Sequence, residues 1–200
     1  MNHESRIKHI TAAIALFVIG FLLLPGVAHA ATITISTPSP ALYLGDEFVV
    51  LIHVDAPKAI NAVGIALTYP ADIVDAEQVL TGDSIIRIWT REPQINKQKG
   101  EVTLTGGLPT PGFTGEKGLV AAVHFKVKAI APFSFTVKQD SSILLNDGLG
   151  TPDALSVNPL LLESRRPAPG QTQTKIPTAP DTTPPANLML DIGHDSGLFG

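Results

Sequence analysis

Residues 60–69 read I-N-A-V-G-I-A-L-T-Y, and this run decides the fold class. Its side chains alternate between large and small with a period of two, which is the pattern of a half-buried β-strand. One face carries the large side chains Val63, Ile65, Leu67 and Tyr69. The other face carries the small side chains Ala62, Gly64, Ala66 and Thr68. The run therefore predicts a strand with one face in a core and a flat opposite face.

Similar β-rich runs occur on both sides of this strand, at residues 31–35, 47–54, 85–91, 102–105, 119–128, 133–138 and 155–162. Gly, Pro, Asn and Asp residues separate the runs, and the sequence contains no amphipathic helix of useful length. Residues 71–81 fit either a short strand or one helical turn. About eight or nine short strands predict one all-β domain over residues 31–165, an antiparallel sandwich of two sheets. The predicted core contains Phe48, Val50, Val63, Ile65, Leu67, Val102, Leu104, Val123, Phe125, Phe135 and Val137.

The single tryptophan lies in the strand predicted at residues 85–91. If Ile86 and Ile88 point into the core, the pleat turns Trp89 outward. Arg87 and Arg91 then flank it, and Trp and Arg are the residue types most enriched at interface hot spots. The alternative is a register shifted by one, with Trp89 in the core, since a lone Trp is usually well buried. The outward register predicts a partner-binding face made of Ala62, Gly64, Ala66, Thr68, Arg87, Trp89, Arg91, Thr103 and Thr105.

The first 30 residues have the three parts of a secretory signal peptide. Residues 6–9 are basic, residues 14–24 are apolar and uncharged, and Ala28-His29-Ala30 has the form of a cleavage site. The alternative is an uncleaved anchor, because the uncharged stretch is just long enough to span a bilayer. The Pro25-Gly26 break favours cleavage after Ala30. We therefore expect a secreted or cell-surface protein that does not insert into membranes after cleavage.

Charge and cysteine content argue against several classes of partner and site. Removing residues 1–30 takes away two basic residues and one acidic residue, so the net charge moves from −4 to about −5. Nucleic acids and anionic membranes need clustered Lys and Arg, and neither is expected as a partner. The chain has no cysteine, so no disulfide framework or zinc–thiolate site is expected.

The composition changes after residue 165. Residues 166–185 are rich in Pro, Thr and Gln and carry little charge, which predicts a disordered linker. Residues 186–200 become apolar again but are too few to form a domain. They are either an ordered tail or the start of a further domain, and we favour the second.

The sequence has no catalytic signature, neither a nucleophile elbow, a P-loop, an H-E-x-x-H motif nor a cysteine nucleophile. His53 and His124 lie among apolar residues in predicted strands, and we expect no catalytic role for them. The acidic cluster Asp72, Asp75 and Glu77 has no second acidic group placed opposite, which favours a solvated loop over glycoside hydrolysis. We therefore expect a protein that is not an enzyme and uses no cofactor.

A second group of oxygen-bearing side chains lies near the end of the predicted sandwich. Asn146-Asp147-Gly148 together with Asp153 lacks the spacing of a calcium-binding loop. Asn-Asp-Gly is ordinary turn chemistry, so a turn is the better interpretation and no metal site is expected.

In order and spacing, residues 41–150 resemble the cohesin domain, the module that binds dockerins in cellulosome scaffolds. The resemblance is carried by L-G-D-E-F at residues 44–48, the run at residues 60–70, G-D-S-I-I at 82–86 and G-L-V-A-A-V-H-F-K-V-K at 118–128. It implies a jelly-roll sandwich of about nine strands. It also implies a flat binding face on the strands at residues 60, 85, 101 and 133, and attachment to a dockerin-like or other surface protein.

Carbohydrate binding is the second hypothesis, because cohesins share their fold with certain cellulose-binding modules. Such a module would contribute to polysaccharide catabolism. Sugar-binding platforms usually need several coplanar exposed aromatic rings, and this sequence has one Trp and two Tyr. The sequence therefore favours a protein partner over a polysaccharide. Asp-Thr-Thr-Pro-Pro at residues 181–185 looks like the lead-in to an immunoglobulin-like repeat, which suits a multi-domain surface protein.

Overall fold

The computed structural model describes residues 30–39, 41–170 and 172–176. The predicted signal peptide up to residue 29, the lead-in at 181–185 and the apolar segment at 186–200 lie outside the described residues. Within the described ranges the structure contains eleven strands and no helix, so no helical segment there could cross a membrane. The strands are β1 (Ala31–Ser36), β2 (Leu42–Tyr43), β3 (Glu47–Thr68), β4 (Val74–Leu80), β5 (Ile88–Asn96), β6 (Glu101–Gly107), β7 (Phe113–Val127), β8 (Pro132–Val137), β9 (Ser142–Leu145), β10 (Leu155–Asn158) and β11 (Leu160–Arg165).

Strand β3 is 22 residues long and takes part in two sheets. Its first half pairs with β1 and β7, which in turn pair with β10 and β4. We call this set the first sheet, in the order β10-β1-β3-β7-β4. Its second half pairs with β6 on one side and with β9 and β8 on the other. The β3–β7 ladder changes register between Ala56 and Ile60, around Pro57, which is where β3 passes from one sheet to the other.

The second sheet continues outward from β3 in both directions. Strand β6 pairs with β5, while β8 pairs with β11 and β11 with β2. The ladders are antiparallel except for the short parallel pairs β1–β10 and β2–β11. The predicted all-β antiparallel sandwich is therefore confirmed, with eleven strands where about nine were expected. Residues 71–81, left open between strand and helical turn, contain β4.

One apolar core lies between the two sheets. Every core residue predicted from the sequence is buried, which confirms the alternation in residues 60–69. The centre of the core is a cluster of aromatic rings. The ring centroids of Phe125 and Phe135 are 4.8 Å apart in an edge-to-face arrangement, and those of Tyr69 and Phe125 are 5.0 Å apart. Such ring pairs add to the free energy of burial.

Residues 172–176 lie against the turn that precedes β3. The backbone N–H of Glu47 donates to the carbonyl of Thr174 (2.9 Å), and the N–H of Thr174 donates to Asp46 Oδ1 (2.8 Å). Asp46 is buried, and its other carboxylate oxygen accepts the N–H of Tyr43 (2.9 Å). This differs from the disordered linker predicted over residues 166–185, because part of that segment is bound to the sandwich through backbone groups.

Candidate partner-binding face

The outer side of the second sheet brings together the small side chains of β3 and β6. Gly64 lies opposite Thr105, and Ala66 lies opposite Thr103. The same ladder pairs Ala62 with Gly107 and Thr68 with Glu101. Their sequence neighbours on β3 and β6 are buried, so these side chains face away from the core. We call this surface the outer face. Strands β3 and β6 supply six of the nine residues predicted for partner binding: Ala62, Gly64, Ala66, Thr68, Thr103 and Thr105.

A shallow depression lies in the middle of the outer face, next to β9. It encloses about 230 Å³ and is lined by Gly64, Ile65, Ala66, Glu101, Thr103, Thr105, Asp140, Ser141 and Ser142. Ser141 Oγ accepts the backbone N–H of Ala66 (3.1 Å), which fixes one wall of the depression. Gly64 has no side chain, and a Cβ atom there would make only an ordinary contact with Ser142 Oγ at 3.4 Å, so the glycine leaves this part of the floor open. Hydroxyl groups therefore surround a flat apolar floor.

An ion pair borders the outer face at one end. Lys138 Nζ contacts Glu101 Oε2, and the backbone N–H of Lys138 donates to the carbonyl of Ala66. The Lys138 ammonium lowers the pKa of the Glu101 carboxyl, and the carboxylate raises the pKa of Lys138. Both charges therefore persist around neutral pH and mark this edge of the outer face.

The structure reverses the predicted orientation of β5. Trp89 lies opposite Gly106, a buried position, and its ring packs against the core. Ile88 lies opposite Gly107 and is 55% exposed. The prediction that Trp89 points outward and Ile88 inward is therefore wrong, and the register shifted by one is observed. The pleat could not be extrapolated from Ile86, which is buried as predicted, because β5 begins only at Ile88.

The two arginines predicted beside Trp89 remain exposed. The β5–β6 ladder changes register between Trp89 and Arg91, so Arg91 lies opposite Thr105 on the outer face. Arg87 precedes β5, and its backbone N–H donates to the carbonyl of Gly107 (3.2 Å). In the described ranges neither guanidinium pairs with a carboxylate. Ile88 is therefore an exposed apolar side chain between two free cations. The sequence pattern did not indicate this, because it predicted Trp89 as the exposed side chain between the arginines.

Trp89 lines an open groove between the edges of the two sheets. The groove, which we call the Trp89 groove, encloses about 600 Å³ and is lined by Glu77, Gln78, Val79, Thr81, Trp89, Glu92, Pro93 and Ile95. Strand β4 supplies one wall and β5 the other. The predicted acidic loop is thus partly a strand: Asp75 and Glu77 lie in β4, and Asp75 pairs with Lys97 at 3.0 Å.

No protein-family model matches the chain, and no curated protein matches it. The solved structures that it resembles are cohesin domains. One is the seventh type I cohesin of ScaB from Pseudobacteroides cellulosolvens, with a TM-score of 0.55 and 20% identity, matching 73% of this chain and 99% of that one. The chain has the cohesin fold.

Two further structures support the assignment of the cohesin fold. A non-cellulosomal cohesin from the hyperthermophilic archaeon Archaeoglobus fulgidus matches with a TM-score of 0.55 and 19% identity, over 68% of this chain and 92% of that one. A cohesin from a type I cohesin–dockerin complex of Clostridium thermocellum matches with a TM-score of 0.56 and 12% identity, over 70% and 99%. The resemblance stated from the sequence is confirmed at the level of the fold.

The oxygen-bearing side chains of the predicted turn, Asn146, Asp147 and Asp153, have structural partners in this cohesin-fold domain. Asp147 Oδ1 accepts the N–H of Leu149 (2.9 Å), as in an ordinary turn, while Asp153 points toward Ala31 and Lys58. Across the described residues no group of three or more His, Asp or Glu side chains is placed to hold a metal ion. His53 lies within β3, and burial lowers its pKa.

Proposed function

We propose that this chain is an exported, non-catalytic binding module that attaches to a protein partner through the outer face. The observation that carries the proposal is a flat floor of small side chains on a cohesin fold, bordered by the exposed Ile88. Several of the matched structures are complexes of a cohesin with a dockerin. We propose a dockerin-like or other surface protein as the partner here.

The chemistry of the outer face fits a partner with an apolar and acidic surface. Small side chains at Gly64 and Ala66 let a partner element lie close to the sheet, where hydroxyl groups can hydrogen-bond to it. Ile88 offers an apolar anchor. The free guanidinium groups of Arg87 and Arg91 can pair with carboxylates in a planar, bidentate manner.

A binding experiment with a matched pair of variants tests the proposal. We expect residues 31–200 to bind at least one member of a panel of dockerin domains in calorimetry. Ile88→Asp should weaken that binding by tenfold or more, since it places a charge in the apolar contact. Leu149→Asp is the control, because Leu149 is 85% exposed in the loop after β9. Equal loss in both variants, or none in Ile88→Asp, contradicts the proposed role of the outer face.

Export is part of the proposal and rests on the sequence of residues 1–30. Mass spectrometry of the protein made in its own cell, or in a secreting host, gives the mature N-terminus directly. We expect a chain that begins at Ala31. A protein that begins at Met1 and stays in the cytoplasm would contradict export.

Polysaccharide binding is the second candidate, and the Trp89 groove is the observation that favours it. An aromatic ring beside Glu, Gln and Thr side chains in an open groove can contact a sugar ring while hydrogen-bonding its hydroxyls. Electrophoresis in gels containing cellulose derivatives or related glucans tests it. Retardation that Trp89→Phe weakens would favour the groove as a glycan site, while hydrolysis of the glucan would contradict both candidates.

A further inference from the structure

The first strand begins at the residue that signal cleavage would leave as the N-terminus. Ala31 opens β1 and is fully buried in the uncleaved chain. Its backbone N–H donates to Asp153 Oδ2 at 3.2 Å, across 122 residues of sequence. The N-terminal end of β1 is also fixed by pairing with β10 on one side and β3 on the other, since Ala31 lies opposite Leu155 and Thr32 opposite Asp55. A carboxylate is therefore held at the nitrogen atom that cleavage would free.

The Asp153 carboxylate is held in place and has few other partners. Its side chain is only 5% exposed, and its backbone N–H donates to the carbonyl of Ile143 (2.9 Å). Its second oxygen, Oδ1, lies 3.7 Å from the Nζ atom of the largely exposed Lys58. The neighbouring Asp147 is engaged in its own turn and does not contribute. The oxygen nearest Ala31 is thus directed at the backbone of β1.

We propose that cleavage between Ala30 and Ala31 creates an α-ammonium group that forms an ion pair with Asp153, so that signal removal completes the N-terminal end of the sandwich. The proposal rests on the export proposed above. Hydrolysis breaks the Ala30–Ala31 amide bond, the oxygen of one water becomes the second oxygen of the Ala30 carboxylate, and the two protons of that water convert the Ala31 nitrogen into an ammonium group. The hydrogen bond from a neutral amide to the carboxylate thereby becomes an ion pair between two charged groups at the same position.

The charged groups near this end of the sandwich determine the direction in which the pKa of the α-amine shifts. Lys58 is a second cation near Asp153, but it is exposed and therefore screened by solvent. Asp55, opposite Thr32, accepts the backbone N–H of Lys117 through Oδ1. The nearly buried Asp153 should therefore dominate and raise the α-amine pKa above its ordinary range of about 7.7–8.0. A raised pKa in the folded state stabilises the fold below the ordinary value, and this stabilisation is lost as the pH rises through the raised value.

The test compares residues 31–200 with a free N-terminus, with an acetylated N-terminus, and with Asp153→Asn in both forms. A fusion cleaved directly before Ala31 provides the free amine. At pH 7 we expect the free-amine protein to melt about 2–4 °C above the acetylated one. This is the shift expected from one added ion pair in a chain of this length. The difference should vanish in Asp153→Asn, and at a pH above the raised pKa. Titration of the ¹⁵N-labelled Ala31 amine should give a raised pKa that returns to its ordinary range in Asp153→Asn.

An α-amine pKa at or below the ordinary range, or the same melting difference with and without Asp153, would overturn the proposal. Mass spectrometry separates this failure from failure of export. A mature chain that begins elsewhere than Ala31 overturns the ion pair but leaves export standing, whereas an unprocessed cytoplasmic chain overturns both. Partner binding by the acetylated protein is independent of either result.

Discussion

Trp89 and Gly106 lie opposite each other in the β5–β6 ladder, and the missing side chain of Gly106 provides the space in which the indole ring packs. A Cβ atom at Gly106 would lie 3.3 Å from Trp89 Cε3 and 2.5 Å from Ile86 Cγ2. This contact turns Trp89 toward the core and leaves Ile88 on the outer face. The surface that β5 contributes to the outer face therefore depends on a glycine in the neighbouring strand.

Gly106→Ala should destabilise the domain, because its methyl group meets Ile86 and the carbonyl of Ile88 at 2.9 Å. We expect a loss of about 1–3 kcal/mol in the free energy of unfolding, the usual range for overpacking. Gly107→Ala is the matched control one residue further along β6, where the nearest atom lies at 3.4 Å. Urea unfolding measures both, and equal losses would mean that the Trp89–Gly106 contact does not set the packing of β5.

Trp89→Ala and Ile88→Ala should have opposite effects. Trp89 packs against the core, so its truncation should lower the free energy of unfolding by about 2 kcal/mol or more and leave the affinity of the folded protein for its partner unchanged. Ile88 is exposed, so its truncation should weaken binding and leave stability nearly unchanged. Denaturation and calorimetry on both variants check this. The reverse pattern would mean that Trp89 points outward and Ile88 points into the core.

The hydroxyl of Tyr69 is buried and makes no hydrogen bond of normal geometry with the described residues, although it lies near the backbone of Ala76. Burial accordingly raises the pKa of Tyr69. Tyr69→Phe removes a polar atom without a partner, so the free energy of unfolding should stay unchanged or rise by about 1 kcal/mol. Tyr43→Phe, at a partly exposed position, serves as the control. A clear loss of stability in Tyr69→Phe would show that the hydroxyl has a partner.

His53 should make the fold less stable in mild acid. Burial lowers its pKa below the ordinary value of 6.5, with Asp55 opposing the shift. The unfolded chain therefore binds more protons at this residue between the lowered value and 6.5, and stability falls as the pH drops through that window. In His53→Gln this part of the pH dependence should disappear. Urea unfolding midpoints measured from pH 8 to pH 5 test this. If the midpoint falls with pH as steeply in His53→Gln as in the unsubstituted protein, His53 is not the cause of the acid destabilisation.

Periodicity in the sequence was enough to predict the core strands but not the edge strand. From Ala62 to Tyr69 the alternation is uninterrupted, and each inward residue is buried. In β5 the ladder changes register twice, so the direction of Trp89 depends on where pairing begins and on Gly106, neither of which the local pattern contains. A strand with bulges cannot be assigned faces by counting residues.

Long-range backbone contacts were also out of reach of the sequence. The binding of residues 172–176 depends on Asp46, whose carboxylate oxygens accept N–H groups from both Tyr43 and Thr174. Composition assigned this segment to a linker because it has few apolar side chains to bury. The approach of Asp153 to Ala31 likewise depends on how β10 pairs with β1, and in sequence Asp153 was interpreted only as a turn residue.

Partner affinity of Gly64→Arg tests the central claim most directly. Space at Gly64 admits an outward side chain, and an arginine there would project from the floor of the outer face. Gly82→Arg is the matched control, since a Cβ atom at Gly82 meets nothing within 4 Å in an exposed turn. In calorimetry with the bound dockerin-like partner, we expect Gly64→Arg to lose at least tenfold in affinity at unchanged folding stability, and Gly82→Arg to bind normally. Full affinity in a folded Gly64→Arg protein would contradict binding through the outer face.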